Sequence, residues 1–125
     1  MHYNLLGYMA EHNVLGAKGE DRAADLLREK GYTIRHTNWR QGRYELDIVA
    51  ELGDTLAVVE VKTRSANSLT GPEEAVDKKK IRRVVSAADK YVRKFDLSLF
   101  VRFDIITVVG NRMEHIEDAF YPPLL

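Results

Sequence analysis

Apolar and polar residues follow two different periods along this chain, and together they predict five strands and two helices. Three strand-like segments come first, and Gly53-Asp54 separates the second from the third, which favours an antiparallel hairpin. Two further strands follow a long helix, and the first of them is almost continuously apolar, as expected inside a sheet. The predicted strands cover residues 32–40, 44–52, 55–63, 99–109 and 112–120.

Helical spacing in two other segments predicts helices that each bury one face. The first is expected from Asn13, a good N-cap, to a stop at Gly31, and the second over residues 73–95. The inward positions of the first are mostly small, which predicts close contact with the sheet: Gly16, Gly19, Glu20, Ala23 and Leu27. Those of the second are larger: Ile81, Val84, Val85, Ala88, Val92 and Phe95.

The order helix, three strands, helix, two strands predicts an α/β fold in which a mixed sheet of about five strands is flanked by helices. With 125 residues, 45% of them hydrophobic, the chain suits a single domain over residues 1–125. Residues 1–12 are expected to be a lead-in and residues 120–125 a tail, both outside the core.

Composition narrows the class of protein. Because the chain has no cysteine, it can form neither a disulfide scaffold nor a thiolate metal site, and no apolar run reaches the roughly 20 residues of a membrane helix. We therefore expect a cytoplasmic protein with no membrane partner. The formal net charge of zero argues against a purely electrostatic nucleic-acid binder, yet "DKKKIRR" and "KYVRKF" concentrate basic residues on the second helix.

The candidate chemistry lies on the predicted hairpin. Glu60 and Lys62 are two residues apart, so they share one face of a strand whose apolar start is buried. The hairpin places Asp47 beside Glu60, and Glu20 lies on the inward face of the first helix. Converging carboxylates repel each other, and a hard cation such as Mg²⁺ offsets this repulsion best. Such an ion could activate a water for attack on phosphate, with Lys62 orienting that water.

The same residues also have simpler interpretations. Glu60 and Lys62 alone would form an exposed ion pair at a strand end, which contributes little stability. The basic face of the second helix is either solvated surface or a track for phosphates. A structural ion pair explains Arg102 with Asp104 at least as well as a catalytic role does. His36 and Trp39 are expected in packing more than against nucleic-acid bases, and His115 is expected at the surface more than as a ligand.

Several sequence blocks resemble, in order, those of the YraN-like family of small bacterial proteins. They are "GAKGEDRAADLLREKGY", "RYELDIVAE", "VVEVKTR", "AVDKKKIRRVVSAADKY" and "VRFDIITV". That family resembles the PD-(D/E)XK nuclease superfamily, and its pattern is also similar to that of archaeal Holliday-junction resolvases. The resemblance implies a restriction-endonuclease-like, three-layer α/β/α fold.

The resemblance also implies roles for individual residues. Asp47 matches the central metal ligand, Glu60 the acid of the motif and Lys62 its lysine, so these three are the implied catalytic residues. Lys80 matches a lysine in the last helix block and could reach over the sheet towards them. The implied ligands of Mg²⁺ or Mn²⁺ are Asp47, Glu60, the carbonyl of Val61 and Glu20.

The function implied by the resemblance is that of a metal-dependent endonuclease. It would hydrolyse DNA phosphodiester bonds, including those of branched or junction DNA in repair or recombination, and would form a homodimer by analogy with resolvases. Two alternatives stay open: a nucleic-acid-binding protein that keeps the fold without catalysis, and a structural protein whose charges form an ion-pair network. The residues expected to contact nucleic acid are basic: Arg64, Lys79, Lys80, Arg82 and Arg83.

Overall fold

The computed structural model describes residues 19–64 and 78–122, and its elements follow the predicted order. A helix, α1, covers residues 19–29 and is followed by strands β1 (Thr33–Gln41), β2 (Tyr44–Leu52) and β3 (Thr55–Arg64). Helix α2 (Lys78–Lys94) and strands β4 (Phe100–Val109) and β5 (Arg112–Ile116) complete the chain. The predicted lead-in and the predicted beginnings of both helices lie outside the described residues.

The five strands form one mixed sheet in the order β1-β2-β3-β4-β5. Neighbouring strands are antiparallel except β3 and β4, which run parallel from the pair Thr55 and Phe100 onwards. Parallel neighbours need a long crossover, and α2 lies within the segment that connects them. The predicted mixed sheet of about five strands is therefore confirmed.

The two helices cover opposite faces of the sheet, which gives the three-layer α/β/α arrangement expected from the sequence. On one face, α1 packs through small and apolar side chains against alternate residues of β2, β3 and β4. On the other face, α2 buries a larger cluster that includes aromatic rings. Along the central parts of β2, β3 and β4, side chains alternate between the two clusters, so each helix covers one face of the sheet. Neither helix, in the part of the chain described, is long and apolar enough to cross a membrane.

Helix α1 lies unusually close to the sheet at its described beginning. A Cβ placed on Gly19 would lie 2.6 Å from Oγ1 of Thr63 on β3, far inside a normal contact distance. Farther along the helix, Ala23 and Leu27 are completely buried. The sequence prediction that small residues mark a close approach is confirmed for these described positions, and this approach brings the start of α1 beside the end of β3.

The buried face of α2 is centred on a residue that the apolar stripe left out. Tyr91 is fully buried, and its ring packs edge-on against Trp39 of β1. Its hydroxyl accepts a hydrogen bond from Nε of Arg35 at 3.0 Å and lies 2.6 Å from Nδ1 of His36. A tyrosine can be buried in this way because its polar end finds partners. The expectation that His36 and Trp39 serve packing is confirmed.

The last strand is shorter than predicted, and the chain after it returns to the core. Strand β5 ends at Ile116, whereas the pattern predicted a strand to residue 120. Phe120 is only 8% exposed and stacks on Phe103, with ring centroids 5.2 Å apart, while the amide of Ala119 donates to the carbonyl of Phe103. The prediction that the tail from residue 120 lies outside the core is therefore wrong for Phe120.

A buried charge network joins β4, β5 and the end of α1. Arg102 donates two hydrogen bonds to Asp104, at 2.8 and 2.7 Å, as the expected structural pair. Nε2 of His115 donates to the same carboxylate at 2.8 Å, and its Nδ1 accepts from the ammonium of Lys30 at 2.8 Å. The side chain of His115 is 1% exposed, so the prediction of a surface histidine is wrong. Its partners, Asp104 on β4 and Lys30 just after α1, are distant in the chain, and periodicity along one strand does not reveal them.

Candidate active site

The site forms where strands β2 and β3 stop pairing. Their ladder runs from Leu52 with Thr55 to Ile48 with Val59, and the next residues along each strand are Asp47 and Glu60. The carboxylate of Asp47 accepts a hydrogen bond of 2.8 Å from the amide of Val61, so it takes a partner from the neighbouring strand just beyond the ladder. The hairpin brings Asp47 and Glu60 together, as the sequence predicted.

Two lysines lie against these carboxylates. Nζ of Lys80 on α2 is 3.2 Å from Oε2 of Glu60, a side chain that is only 5% exposed. Lys80 thus reaches over the sheet to the site, as the sequence suggested. Burial, and then the hydrogen bond and positive charge of Lys80, lower the pKa of Lys62 to about 8. This arrangement differs from an exposed ion pair at a strand end, because Glu60 is buried and its cationic partner, Lys80, comes from α2.

The surroundings of Asp47 and Glu60 destabilise the ionised forms of both carboxyl groups. Burial raises the pKa of Asp47, and the amide of Val61 and the two lysines offset only part of this rise. Burial and the charge of Asp47 raise the pKa of Glu60. A raised pKa means that the ionised form is less stable in the folded protein than in water. The pair therefore favours any cation that can approach it.

Glu20 completes the acidic side of the site from α1. Burial, followed by the charge of Asp47, raises the pKa of Glu20 to about 6, while a hydrogen bond from Asn38 opposes this rise. Its Oε2 atom is buried and has no hydrogen-bond partner among the described residues. A buried oxygen without a partner is costly and needs a proton, a water or an ion beside it. The prediction that Glu20 points at the cluster is consistent with this position.

The donor set suits a hard divalent ion that keeps some of its water. Within residues 19–64 and 78–122, no three acidic or histidine side chains converge closely enough to make a ready metal cage. Mg²⁺ does not require one, because it commonly uses one or two carboxylates and retains several waters. Asp47 and Glu60 supply the two carboxylates, and Glu20 is near enough for their charges to raise its pKa.

The residues expected to contact nucleic acid are not all equally close to this site. Lys80 and Arg83 line its wall on α2, whereas Lys79 and Arg82 are exposed on the same helix. Arg64 is the last residue of β3 and donates a 3.3 Å hydrogen bond to the carbonyl of Thr63. The structure therefore brings Lys80 to Glu60 and Arg83 to the wall beside them, and it leaves the other three on neighbouring surface.

A cavity of about 360 Å³ opens beside the carboxylates. Sequence reasoning missed one of its walls, the end of the β1–β2 hairpin, which contributes Arg43, Tyr44 and Glu45. A signal was present, since "QGRY" has the glycine of a tight hairpin turn and lies three residues before Asp47. What the sequence did not show is that this turn faces α2.

Together, the fold and the site define a small three-layer α/β/α protein whose central hairpin carries Asp47, Glu60 and Lys62 where its strands separate, with Lys80 of α2 against the buried Glu60. The chain belongs to the uncharacterised protein family UPF0102, whose model matches residues 19–108. The resemblance to the YraN-like family is thereby confirmed.

Relatives of similar length support this membership over nearly the whole chain. A protein from Phocaeicola vulgatus is 56% identical over 120 residues, which are 93% of this chain and 99% of the relative. One from Bacteroides thetaiotaomicron is 57% identical with the same coverage. A more distant one from Christiangramia forsetii is 45% identical over 117 residues, 90% of this chain and 98% of that protein. All carry the name "UPF0102 protein", which assigns no activity.

Proposed function

We propose that this chain is a metal-dependent endonuclease that hydrolyses phosphodiester bonds of DNA, including branched DNA. The observation that carries the proposal is the pair Asp47 and Glu60 just beyond the β2–β3 ladder, with Glu20 of α1 close enough to feel their charge, where burial raises the pKa of all three carboxyl groups. Folding places negative charge where it is unstable unless a cation offsets it. Titratable groups perturbed in this way beside a cavity are typical of functional sites.

The metal would be held by the two strands of the hairpin. Asp47 and Glu60 would supply carboxylates, Val61 its carbonyl, and Glu20 a contact through water, since its buried Oε2 has no hydrogen-bond partner in residues 19–64 and 78–122. When bound, Mg²⁺ or Mn²⁺ would polarise a phosphoryl oxygen and lower the pKa of an attacking water. Asp47 would also keep the two strands in place, because it accepts the hydrogen bond from the amide of Val61.

The lysines would act on the phosphate and on the water. Lys62 shares a strand face with Glu60, and its pKa of about 8 leaves its amine able to exchange a proton near neutral pH. It would orient the water and stabilise charge that develops on the phosphate. Lys80 would balance Glu60 and contribute positive charge at the wall where the substrate enters.

A second candidate, DNA binding without catalysis, is favoured by one specific contact. The 3.2 Å ion pair between Lys80 and Glu60 neutralises a carboxylate that the metal would need. If this pair persists when divalent ions are present, the site is a structural network and the basic face of α2 provides only affinity. The two candidates differ in what the loss of Asp47 does to activity and to binding.

The proposal is tested with a cleavage panel of single-stranded, duplex, flap and four-way-junction DNA. Each substrate is incubated with Mg²⁺, with Mn²⁺ or with EDTA, and products are followed on denaturing gels. The wild type is expected to cut at least one substrate only with a divalent ion. Asp47→Asn is expected to lower that rate by about 100-fold or more, because the amide removes a metal ligand while its oxygen can still accept from Val61.

The matched control is Asp54→Asn, an exposed aspartate in the turn at the other end of the same hairpin. It should cut like the wild type. If the wild type cuts nothing in the panel and binds DNA as tightly as Asp47→Asn does, the endonuclease proposal is wrong and the non-catalytic candidate stands.

A further inference from the structure

Five of the eight described residues that line the cavity beside the carboxylates have no role in the proposed hydrolysis: Arg43, Tyr44, Glu45, Arg83 and Val84. The cavity measures about 360 Å³ and extends from Asp47 and Glu60 to the turn of the β1–β2 hairpin on one side and to α2 on the other. This volume lies at the small end of the range of about 300–1,000 Å³ in which pockets enclose one small organic group. Its size suits one such group.

The wall of the cavity combines two kinds of chemistry. Asp47, Glu60 and Lys80 belong to the candidate metal site. The same wall also contains two arginines, Arg43 and Arg83, with the ring of Tyr44, the carboxylate of Glu45 and the apolar side chain of Val84. Guanidinium groups bind phosphate oxygens and aromatic rings stack on bases, so the wall offers partners for both parts of a nucleotide.

Tyr44 is positioned firmly enough to act as such a surface. It faces Gln41 across a two-residue turn in which Gly42 adopts a φ of 61°, a conformation that suits glycine in a tight hairpin. Its half-buried ring packs against the core cluster beneath α2. The ammonium of Lys90, on α2, lies 5.4 Å from the ring centroid, and this cation–π contact restrains the ring.

We infer that this cavity takes one unpaired nucleotide of a DNA strand, with the base against Tyr44 and flanking phosphates beside Arg43 and Arg83. This inference rests on the proposed function, because it assigns the substrate class of the same site. The nucleotide would lie next to the phosphodiester bond that reaches Asp47 and Glu60. Tyr44 would be a specificity-determining residue, since it contacts the substrate away from the reacting atoms.

Unpaired DNA follows from the shape and the aromatic wall together. In an intact duplex, both faces of a base are covered by its stacked neighbours, so the base must leave the stack before it can meet Tyr44. A flap, a gap or the open centre of a branch presents bases that are already unstacked. The cavity therefore selects DNA that contains an unpaired nucleotide beside the bond to be cut.

The test measures binding without catalysis. Fluorescence anisotropy in EDTA compares a labelled blunt duplex with the same duplex carrying a single-stranded flap. The wild type is expected to bind the flap DNA about 10-fold more tightly. Tyr44→Leu keeps apolar packing but removes the ring, and it should abolish this preference while duplex affinity is unchanged. Tyr44→Phe, the matched control, keeps the ring and should preserve the preference.

Two results would overturn the inference: equal affinity of the wild type for both DNAs, or a preference that Tyr44→Leu leaves intact. Thermal unfolding of both variants checks that they are folded, and Tyr44→Phe supplies a folded comparison at the same position. Failure of the proposed function is a separate outcome. If the preference for flap DNA depends on Tyr44 but no sample cleaves DNA with Mg²⁺ or Mn²⁺, only the hydrolase proposal is rejected. If DNA is cleaved but the preference is absent, only the nucleotide site is rejected.

Discussion

Asp47 has two roles at the scale of single residues, and they act in opposite directions on stability. Its carboxylate joins β2 to β3 through the amide of Val61, which stabilises the strand end. Its negative charge also raises the pKa of Glu60 and Glu20, which destabilises the ionised site. Active sites often retain such repulsion because function requires it.

Asp47→Asn should therefore make the metal-free protein more stable. The amide oxygen can still accept from Val61, while the repulsion towards Glu60 disappears, and a gain of about 1 kcal/mol in the free energy of unfolding is expected at pH 7. Urea unfolding in EDTA measures this gain. In a separate thermal unfolding experiment, Mn²⁺ should raise the Tm of the wild type, because a ligand of the native state stabilises it. The Tm of the variant should not change. If Asp47→Asn is instead less stable than the wild type in EDTA, the contact of Asp47 with the amide of Val61 outweighs its repulsion towards Glu60.

At the scale of elements, the close contact between α1 and the sheet depends on the absence of a side chain at Gly19. The described start of the helix touches β3 where a Cβ on Gly19 would meet Thr63 at 2.6 Å. The adjacent residue, Glu20, is an acid that the described part of α1 brings to the site. The distance between these two elements therefore determines where that carboxylate lies.

Gly19→Ala should lower the free energy of unfolding by about 1 kcal/mol, although alanine is the better helix former. The gain in helix propensity is about 1 kcal/mol, and forcing a methyl group against Thr63 costs more than that. Urea unfolding measures the change. The companion variant Thr63→Ala removes the blocking hydroxyl, so adding Gly19→Ala to it should stabilise the protein. Destabilisation in that background as well would mean that the clash is not the cause.

The link between β4 and β5 depends on Asp104. Burial alone would raise the pKa of this carboxyl group, but hydrogen bonds from His115, Arg102 and the amide of Asp118 outweigh burial and lower it. A lowered pKa in the folded state stabilises the protein above the pKa of the unfolded chain, about 3.9, and that contribution is lost as the pH falls through the folded pKa.

Asp104→Asn should therefore cost about 3 kcal/mol at pH 7, because it leaves Arg102 without its buried anion. The difference from the wild type should shrink below about pH 4, as the wild-type carboxylate takes up its proton. Denaturant unfolding across a pH series measures both effects. Asp25→Asn, which breaks the exposed pair with Arg28, should change stability by less than about 0.5 kcal/mol. A difference that stays constant down to acidic pH would contradict this account.

At the scale of the whole molecule, a net charge of zero conceals an uneven distribution of charge. Basic residues occur along the whole exposed face of α2, but only its first half lies beside the candidate site. A DNA strand held at the carboxylates would contact Arg82 and Arg83, and it would be far from Arg93 and Lys94 at the other end of the helix.

Replacing Arg82 and Arg83 by glutamine should weaken DNA binding and make it less dependent on salt. Each lost phosphate contact lowers the slope of log K against log salt by about 0.9, so the pair should lower it by roughly 2. Anisotropy titrations over a range of salt concentrations measure the slope. The matched double replacement at Arg93 and Lys94, on the same helix, should leave it unchanged. Equal effects of the two double variants would mean that DNA does not approach from the site.

The strands and the central acidic pair could be predicted because they depend on short-range rules. Alternation predicted β2 at Tyr44–Leu52, and the other strands began within one residue of their predicted positions. Two rules, that residues two apart share a strand face and that a hairpin aligns its arms, were sufficient to bring Asp47 beside Glu60 with Lys62 nearby. These relations depend on neighbouring segments only.

The sequence by itself thus determined the order of elements, the mixed sheet between helices and the hairpin that carries the acids, since each follows from local periodicity and turn chemistry. Only the tertiary structure decided that Tyr44 faces α2 across a cavity, that Tyr91 is at the centre of the helix contact and that His115 is buried against Asp104. Those contacts join residues from elements far apart in the chain. Their geometry is set by how helices and sheet pack, and no periodicity within one segment records it.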